Sequence, residues 1–599
     1  MTINPSSNTV LKPIRVGPYE APKFSYPQVE VIIYCNEGPV IKFDGNSSDL
    51  LSVSTSKSLR SPVGTFELRL APSGPLSTAD SQSTTTSVLN LPQAYPDYTS
   101  VISQNSLVVI RMKRIDRESS TYDPQNVFQP ATVMVGVVTH TDSLLSYEDK
   151  DVKHIITVSG TDFSYYLTRE SYYTFSSLPI LQSQALAITS TANLTPKAAG
   201  EQWLNDVIFG EHGFLSLVNF YPAPKGKVEP ISLSDLFYYS FLDYTPAQGA
   251  SIPVQFTLFQ SDGAWWTKFQ NIFIPPLYEF FVNTAPLNFY PQAAQVSGGS
   301  NTFPPSLLSS KYQEGVPVLV ARTNPNPFVY YNFETNEWIL ANFLVGPTQG
   351  INYYLLSKEN IISAQVGYGQ SDIKNFFLFQ PYLFSYNNGF SNALTKSLPL
   401  LFGTIIDQRS FLKYGYAPAQ VTSFWFSDTS GNAAKTLSSE TLSFSQTYLS
   451  AVSQVASYYS TIPNLLAGRI TIPLAPNLLI GNFLETNPWK EGVFNSTEQS
   501  YVFYVTGVEH RWVMGGPSQT HVTLERGIPH SIFTDQAKLK DFLLNNYTRV
   551  NGTLQPIPPE ERSESGLTYI PSADFQKMFS DLGVNIGSII DGFSKPITT

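Results

Sequence analysis

A repeated pattern of short apolar segments constrains this 599-residue chain more than any other feature of its sequence. Leu50-Leu-Ser-Val-Ser-Thr55 followed by Gly64-Thr-Phe-Glu-Leu-Arg-Leu70 is echoed by Asn360-Ile-Ile-Ser-Ala-Gln-Val366 followed by Lys374-Asn-Phe-Phe-Leu-Phe379. Val135-Gly-Val-Val-Thr-His140 with Ile155-Ile-Thr-Val-Ser-Gly160 is echoed by Thr506-Gly-Val-Glu-His510 with His521-Val-Thr-Leu-Glu-Arg-Gly527. These segments are β-branched, aromatic or alternating, as strands are. Order and chemistry match, and only the spacing within each half differs. A chain with two similar β units has an assembly open to it that a single unit lacks: three copies present six near-equivalent modules around one axis.

Between the echoes the texture changes, and four regions separate, as expected for this length. Residues 1–175 read as a first tube-like β-barrel domain, with strands at Val29–Tyr34, Thr65–Leu70, Ser106–Met112, Val133–His140 and Lys153–Ser159 and a polar hairpin connection from Asp142 to Asp151. Residues 176–355 read as an aromatic- and proline-rich mixed α/β insertion. Leu178 to Ala192 and Pro196 to Phe209 look helical there, while Trp265-Trp266 and Phe273 to Phe281 suggest irregular loops and short edge strands, because Pro breaks ladders and helices alike. Residues 356–533 read as a second tube-like barrel domain with a helical insertion, in which Leu449, Val452, Ala456 and Tyr459 fall at helical spacing before Pro463. Residues 534–599 read as a helix, Asp535 to Leu544, and an extended tail with apolar anchors Tyr569, Ile570, Phe575, Met578, Phe579 and Leu582. Such a tail is expected to clamp a neighbouring protein. The fold class is therefore mainly β with minor α.

Composition narrows the function. Charged residues make up only 14% of the chain, and aromatics make up as much. Aromatic enrichment with charge depletion suits surfaces covered by partners. A net charge of −10 argues against a surface built to neutralise phosphates. No apolar run approaches the ~20 residues of a spanning helix, so no membrane insertion is expected. No signal peptide is readable at the N-terminus.

With these segments in hand, the chain resembles a known family. The Val135–His140 strand, the paired Ile155–Asp162 strand and the segment after it are similar to the first barrel of baseplate hub proteins of contractile-tailed phages and related injection machines, the tail hub or late-control-protein-D-like family. Asp407-Gln-Arg-Ser-Phe-Leu-Lys-Tyr-Gly415 resembles the Tyr-Gly stretch of that family's later domain. Leu465–Ile472, Leu479–Gly481, Tyr504–His510 and Thr520–Gly527 occur in the order of its closing barrel. The likeness spans roughly 300 residues and fades between Ser176 and Leu355 and after Phe533. It implies a structural, non-enzymatic virion protein, assembled in the host bacterial cytoplasm: a homotrimeric ring adapting the sixfold tail tube to a threefold central spike and lining the DNA exit channel. Its implied partners are copies of itself, the central spike protein and the tail tube or tube-initiator protein, with tape-measure and wedge proteins as further candidates and DNA only in transit. The residues expected to matter are structural: Gly136, Gly160, Gly507 and Gly527 at tight β positions, and Tyr414-Gly415 at a turn.

No catalytic, cofactor or metal residues are assigned. Cys35, the only cysteine, ends an apolar strand and reads as a small buried hydrophobe. His140, His154, His510 and His521 fall in β hairpins, and Glu211-His212 and Glu509-His510 are bare dipeptides. Gly431-Asn-Ala-Ala-Lys-Thr436 lacks the glycine a phosphate loop needs before its lysine, and Gly367-Tyr-Gly369 reads as a loop between strands. Paired carboxylates for glycoside cleavage need no motif, so a tail-associated cell-wall hydrolase built on a hub scaffold is the alternative. A surface adhesin, suggested by Ser/Thr/Asn richness and five Asn-x-Ser/Thr triplets, is a third reading, disfavoured by the missing signal peptide.

Overall fold

The computed structural model describes residues 14–16, 25–72 apart from 46, 97–116, 131–172 apart from 149, 150 and 170, 196–242 apart from 211–213 and 222–229, most of 263–296, 315–341 apart from 333, 334 and 336, 350–383 apart from 370–372, 404–426, 452–488, and 500–570 apart from 551, 552 and 565. Five sequence expectations lie outside these residues: the helix at Leu178 to Ala192, the dipeptide Glu211-His212, the segment Gly431 to Thr436, Leu449 of the helical spacing, and the anchors Phe575, Met578, Phe579 and Leu582.

The N-terminal part supplies β1 (Ile14–Arg15), β2 (Ser25–Tyr34), β3 (Val40–Asp44), β4 (Leu50–Ser58), β5 (Thr65–Leu70), β6 (Leu107–Asp116), β7 (Ala131–Glu148) and β8 (Asp151–Asp162). Every strand read from the sequence is present. Strand β5 buries Phe66, Leu68 and Leu70 and exposes Thr65 and Arg69, as its alternation requires. Strands β6 and β7 are apolar on both faces. Val108, Ile110 and Met134 enter one core with Val31 and Ile33, while Leu107, Val109, Val135 and Val137 enter another. The polar stretch from Asp142 is not a connection. It continues β7 and β8 as a paired ladder out to Glu148 opposite Asp151, because strand pairing tolerates polar residues wherever both faces meet water.

The described residues of the insertion form more helix and strand than its prolines suggest. Helix α1 (Ser164–Arg169) leads out of β8, and α2 (Pro196–Gln202), with Pro196 at its start, runs into a π-helical turn at Trp203–Ile208. Trp265-Trp266, expected in a loop, opens helix α3 (Trp265–Ile272). No proline falls inside that segment, and Trp265, Trp266, Phe269 and Ile272 form one buried face. Strands β9 (Tyr238–Leu242), β10 (Tyr278–Ala285), β11 (Ala294–Gln295) and β12 (Val316–Thr323) form a sheet in the order β10-β12-β9-β11. Strand β10 is an edge strand, as expected, but it is eight residues long and almost wholly buried.

The C-terminal part supplies β13 (Tyr353–Leu355), β14 (Ser363–Tyr368), β15 (Phe376–Leu383), β16 (Thr404–Asp407), β17 (Pro418–Phe426), β18 (Leu466–Pro473), β19 (Phe483–Thr486), β20 (Tyr501–Val513), β21 (Gln519–Pro529) and β22 (Leu567–Ile570). Gly367-Tyr368 lies within β14, not in a loop. Helix α4 (Gln408–Tyr414) is capped by Asp407 and stopped by Gly415 at φ +80°, the turn read at Tyr414-Gly415. Residues 452–460 are helical and bury Val452 and Ala456. Helix α5 (Gln536–Leu543) starts at the Asp535 cap.

Fourteen strands, β1 to β8 with β13, β14 and β18 to β21, make one sheet. Its path runs β1-β13-β19-β20-β4-β5-β8-β7-β6-β2-β3, and β14, β18 and β21 branch from β20. The protein is thus mainly β, but the expected pair of barrels is not what forms: among the described residues no strand pairing closes either half into a barrel. The order within each half nevertheless repeats. Antiparallel β4-β5-β8-β7-β6 corresponds to antiparallel β14-β18-β21-β20-β19, in the same chain order. The likeness ends at the next strand, since β2 is antiparallel to β6 while β13 is parallel to β19.

Two further sequence readings need correction. The counterpart of Gly64–Leu70 is β18, not Lys374–Phe379, which belongs to a separate sheet of order β17-β15-β16-β22. A long insertion before β18 hid the true match. Tyr569 and Ile570 are also not free anchors. They pair with Ile405 and Thr404 of β16, so this part of the tail completes the chain's own sheet.

Candidate assembly interface

The two units align through a shared defect in their longest hairpins. The β7·β8 ladder slips between Val138 and His140, leaving Thr139 unpaired, and the β20·β21 ladder slips between Val505 and Gly507, leaving Thr506 unpaired. Each bulge threonine donates its hydroxyl to the carbonyl across the hairpin: Thr139 Oγ1 to Ser159 at 3.3 Å, and Thr506 Oγ1 to Thr523 at 3.5 Å. His140 is therefore the counterpart of Gly507, and the sequence match of Gly136 with Gly507 was four residues out of step. Gly136 and Gly160 are tight for a local reason. A Cβ at Gly136 would strike the Thr161 carbonyl, and one at Gly160 would strike the Val137 carbonyl and the Phe66 ring. Gly527 is crowded by the Phe503 ring, whereas Gly507 has more room, with Thr523 Oγ1 at 3.1 Å.

Past its bulge, β20 leaves β19 and takes β4 as its neighbour. The register runs from Gly507 opposite Ser58 to Val513 opposite Ser52. This is where the two units join. Trp512 is the plug: it is buried, sits in the N-terminal core with Val53 and Leu474, and donates its indole N–H to the Pro27 carbonyl at 3.3 Å. His510, opposite Thr55, is buried beside Thr520, with Nδ1 and Oγ1 3.0 Å apart. Burial, reinforced by the charge of Lys57, drives its pKa down to about 3, so the ring is neutral.

Lys57, opposite Val508, ties this seam to the insertion. Its Nζ donates to Thr284 Oγ1 of β10 at 2.6 Å. Burial lowers the ammonium to about 8, against the pull of Asp162. Asp162 is itself buried and pushed upward by burial, although Lys57, the Gly64 amide and Ser164 favour its charge. A second buried group joins the insertion to the C-terminal unit. Arg322 of β12 pairs with Glu279 of β10 at 3.2 Å, donates to the Gly350 carbonyl at 3.0 Å and to the Tyr504 hydroxyl at 3.1 Å, and also reaches the Gly481 carbonyl. Tyr504 in turn donates to Glu279 at 2.6 Å. Burial opposes the Arg322 charge, but Tyr504 and Glu279 outweigh it and keep the guanidinium firmly protonated.

No family model matches the sequence, and no curated protein matches it. Among solved structures, a tail protein from Neisseria meningitidis MC58 is 9% identical, with a TM-score of 0.38, covering 83% of this chain and 96% of its own. The 43 kDa tail protein of prophage MuSo2 from Shewanella oneidensis is 11% identical, with a TM-score of 0.36, covering 84% and 98%. An E. coli type VI secretion component, described as structurally similar to the T4 phage tail proteins gp27 and gp5, is 10% identical, with a TM-score of 0.29, covering 80% and 74%.

The remaining sequence candidates scatter. Cys35 is buried, and burial pushes its thiol up to about 12, so it packs as a hydrophobe. His140 contacts Asp142 at 2.8 Å on the surface, His154 contacts Ser143, His521 contacts Thr471, and His530 contacts Glu485. Among the described residues no group of three His, Cys, Asp or Glu side chains converges as a metal site would. What the sequence did not reveal is the seam itself. Trp512 and Lys57 carried no motif, and only the helix-free alternation around them hinted at burial on one face.

Proposed function

We propose that this chain is a structural protein of a phage tail or related injection machine, and that it acts as a trimeric baseplate hub. In this reading three copies form a ring whose six similar β units meet the sixfold tail tube on one side, while the ring as a whole accepts a threefold spike on the other and surrounds the DNA exit channel. One observation carries the reading: five antiparallel strands recur in the same order and direction and lie in one continuous sheet through β20 and β4. A chain that already places two like units edge to edge needs only a like contact between copies to continue the series. The family-like segments around Val135–Asp162, Asp407–Gly415 and Leu465–Gly527 support the same assignment.

The two units act as tube-like modules in the assembled ring, with any closure of their sheets left to contacts between copies. The channel wall is neutral or acidic, since each neutralised phosphate would add salt-dependent drag on passing DNA. The test is an averaged end-on view of the purified assembly. Three chains showing six similar modules around the axis is the expected result. Two chains, or two modules on separate layers, would remove the hub assignment.

A further inference from the structure

The seam between β20 and β4 has an unfilled counterpart in each chain, and its two halves lie at opposite ends of the repeat. In the C-terminal unit, β20 is flanked on one edge by β21 along its length and on the other by β19 up to Tyr504, then by β4 from Gly507 onward. In the N-terminal unit, β7 is flanked by β8 from Gly136 onward and on the other edge by β6 only as far as Val137. Past Thr139 no described strand lies on that second edge. The counterpart of β4 is β14, which pairs with β18 on one side and with no described strand on the other. We propose that β14 of one copy adds to the outer half of β7 of the next, repeating between copies the β4·β20 contact made within each chain.

The bulge equivalence fixes the register. His140 stands for Gly507, so Thr141, Ser143 and Leu145 stand for Val508, His510 and Trp512. On the other side Ala364, Val366 and Tyr368 stand for Val53, Thr55 and Lys57, because Ile470 and Leu68 occupy the same ladder position in the two units. Leu145 therefore lies opposite Ala364, Ser143 opposite Val366, and Thr141 opposite Tyr368.

Burial follows the same logic. Trp512 is 3% exposed because β4 and the core behind it cover it, while its counterpart Leu145 is 51% exposed and neighbouring Leu144 is 60% exposed. Along β14, Ser363, Ala364, Gln365, Gly367 and Tyr368 are all exposed. Little on these edges defends against pairing, although the Thr141 hydroxyl is held by the Ile102 carbonyl and Arg549 lies over the Tyr368 ring. Strand β14 has neither a proline nor a charge, and Thr141 to Leu145 carry one charge, Asp142, whereas exposed edges of stable monomers are usually blocked by lysines, prolines or bulges. Ala364, Val366 and Tyr368 alternate onto the face that buried Leu466 and Ile470 share. The occupant this edge fits is a second copy of the same chain. The contact is head-to-tail, so it propagates until a ring closes. It rests on the hub reading only for the number of copies.

The test uses the full-length chain with cysteines added in pairs. Ser143→Cys with Val366→Cys should give, on mild oxidation, a covalent ladder ending at three chains, with Cys35 buried and inert in every variant. Ser143→Cys with Ala364→Cys, two residues out of register, should cross-link about tenfold less, because a sheet with one buried face holds its register. Leu145→Asp should abolish the oligomer while leaving the melting temperature of the single chain unchanged, because the side chain is exposed there. Oligomers that persist in Leu145→Asp, or that fail to cross-link at 143 and 366, overturn the strand addition and leave the hub reading standing. A wild-type chain that stays monomeric at high micromolar concentration overturns both.

Discussion

Lys57 of the N-terminal unit and Thr284 of the inserted sheet, 227 positions apart in sequence, meet at 2.6 Å in a buried seam. The ammonium donates to Thr284 of the insertion, is drawn by the charge of Asp162 in its own unit and acts through its charge on His510 of the other, so one side chain couples all three parts of the fold. Its value of about 8 lies below the ordinary lysine value of about 10.4. Between those values the unfolded chain holds the extra proton, so stability rises with pH across roughly pH 8 to 10. Urea midpoints measured across that window should climb in the wild type and stay flat in Lys57→Met. Below pH 8, Lys57→Met should cost about 3 to 5 kcal/mol, because Asp162 is left buried without its counter-charge. Adding Asp162→Asn should recover most of that loss. If the two substitutions simply add, the pair is not coupled.

Tyr504 bridges Arg322 and Glu279 with one hydroxyl, accepting from the first and donating to the second. Tyr504→Phe keeps the ring that packs on Phe483 and removes only the bridge. About 1 to 3 kcal/mol of stability should be lost, the cost of leaving buried polar groups short of a partner. Arg322→Met should lose more, about 3 to 5 kcal/mol, since Glu279 is then stranded. Chemical denaturation of the three proteins ranks them. Equal losses in Tyr504→Phe and Arg322→Met would mean that the ion pair itself contributes nothing.

Trp512 fills a core that belongs to the other half of the chain. Trp512→Ala should cost about 3 to 5 kcal/mol and leave a cavity under β4. Trp512→Phe, which keeps most of the volume and loses only the hydrogen bond to Pro27, should cost less. Because the loss falls at the joint, hydrogen exchange should accelerate first along β4 and the outer half of β20. Uniform acceleration throughout the sheet would place the joint inside one cooperative unit.

The sequence made the strands legible and left the seam obscure, for one reason. Period-two alternation and apolar runs report how a strand is buried, so β5, β7, β18 and β21 could all be read. They say nothing about which edge meets which. The pairing of β4 with β20 joins residues more than 440 positions apart, and hydrogen bonds along an edge leave no trace in side-chain pattern. The bulge misled the alignment too, since Gly136 and Gly507 look alike while the structural counterparts are Thr139 and Thr506. In the insertion, prolines suggested loops where Trp265, Phe269 and Ile272 make a helix face. In the tail, Tyr569 read as an anchor for a partner because its true neighbour, Ile405, lies in a strand far back along the chain.

His510 gives the seam an acid limit. Burial and the charge of Lys57 hold its pKa at about 3, against about 6.5 in an unfolded chain. A histidine depressed on folding contributes stability that is complete above pH 6.5 and is lost as pH falls toward 3, because the unfolded chain takes up the proton first. The slope from this one group is about 1.4 kcal/mol per pH unit inside that window. His510→Gln keeps a polar partner for Thr520 and has nothing to titrate, so its stability should fall less steeply than the wild type between pH 6 and 4. In Lys57→Met the repelling charge is gone, the histidine value should rise, and the loss should level off at a higher pH. Parallel acid profiles for wild type and His510→Gln would show that the ring is not the group that limits the seam.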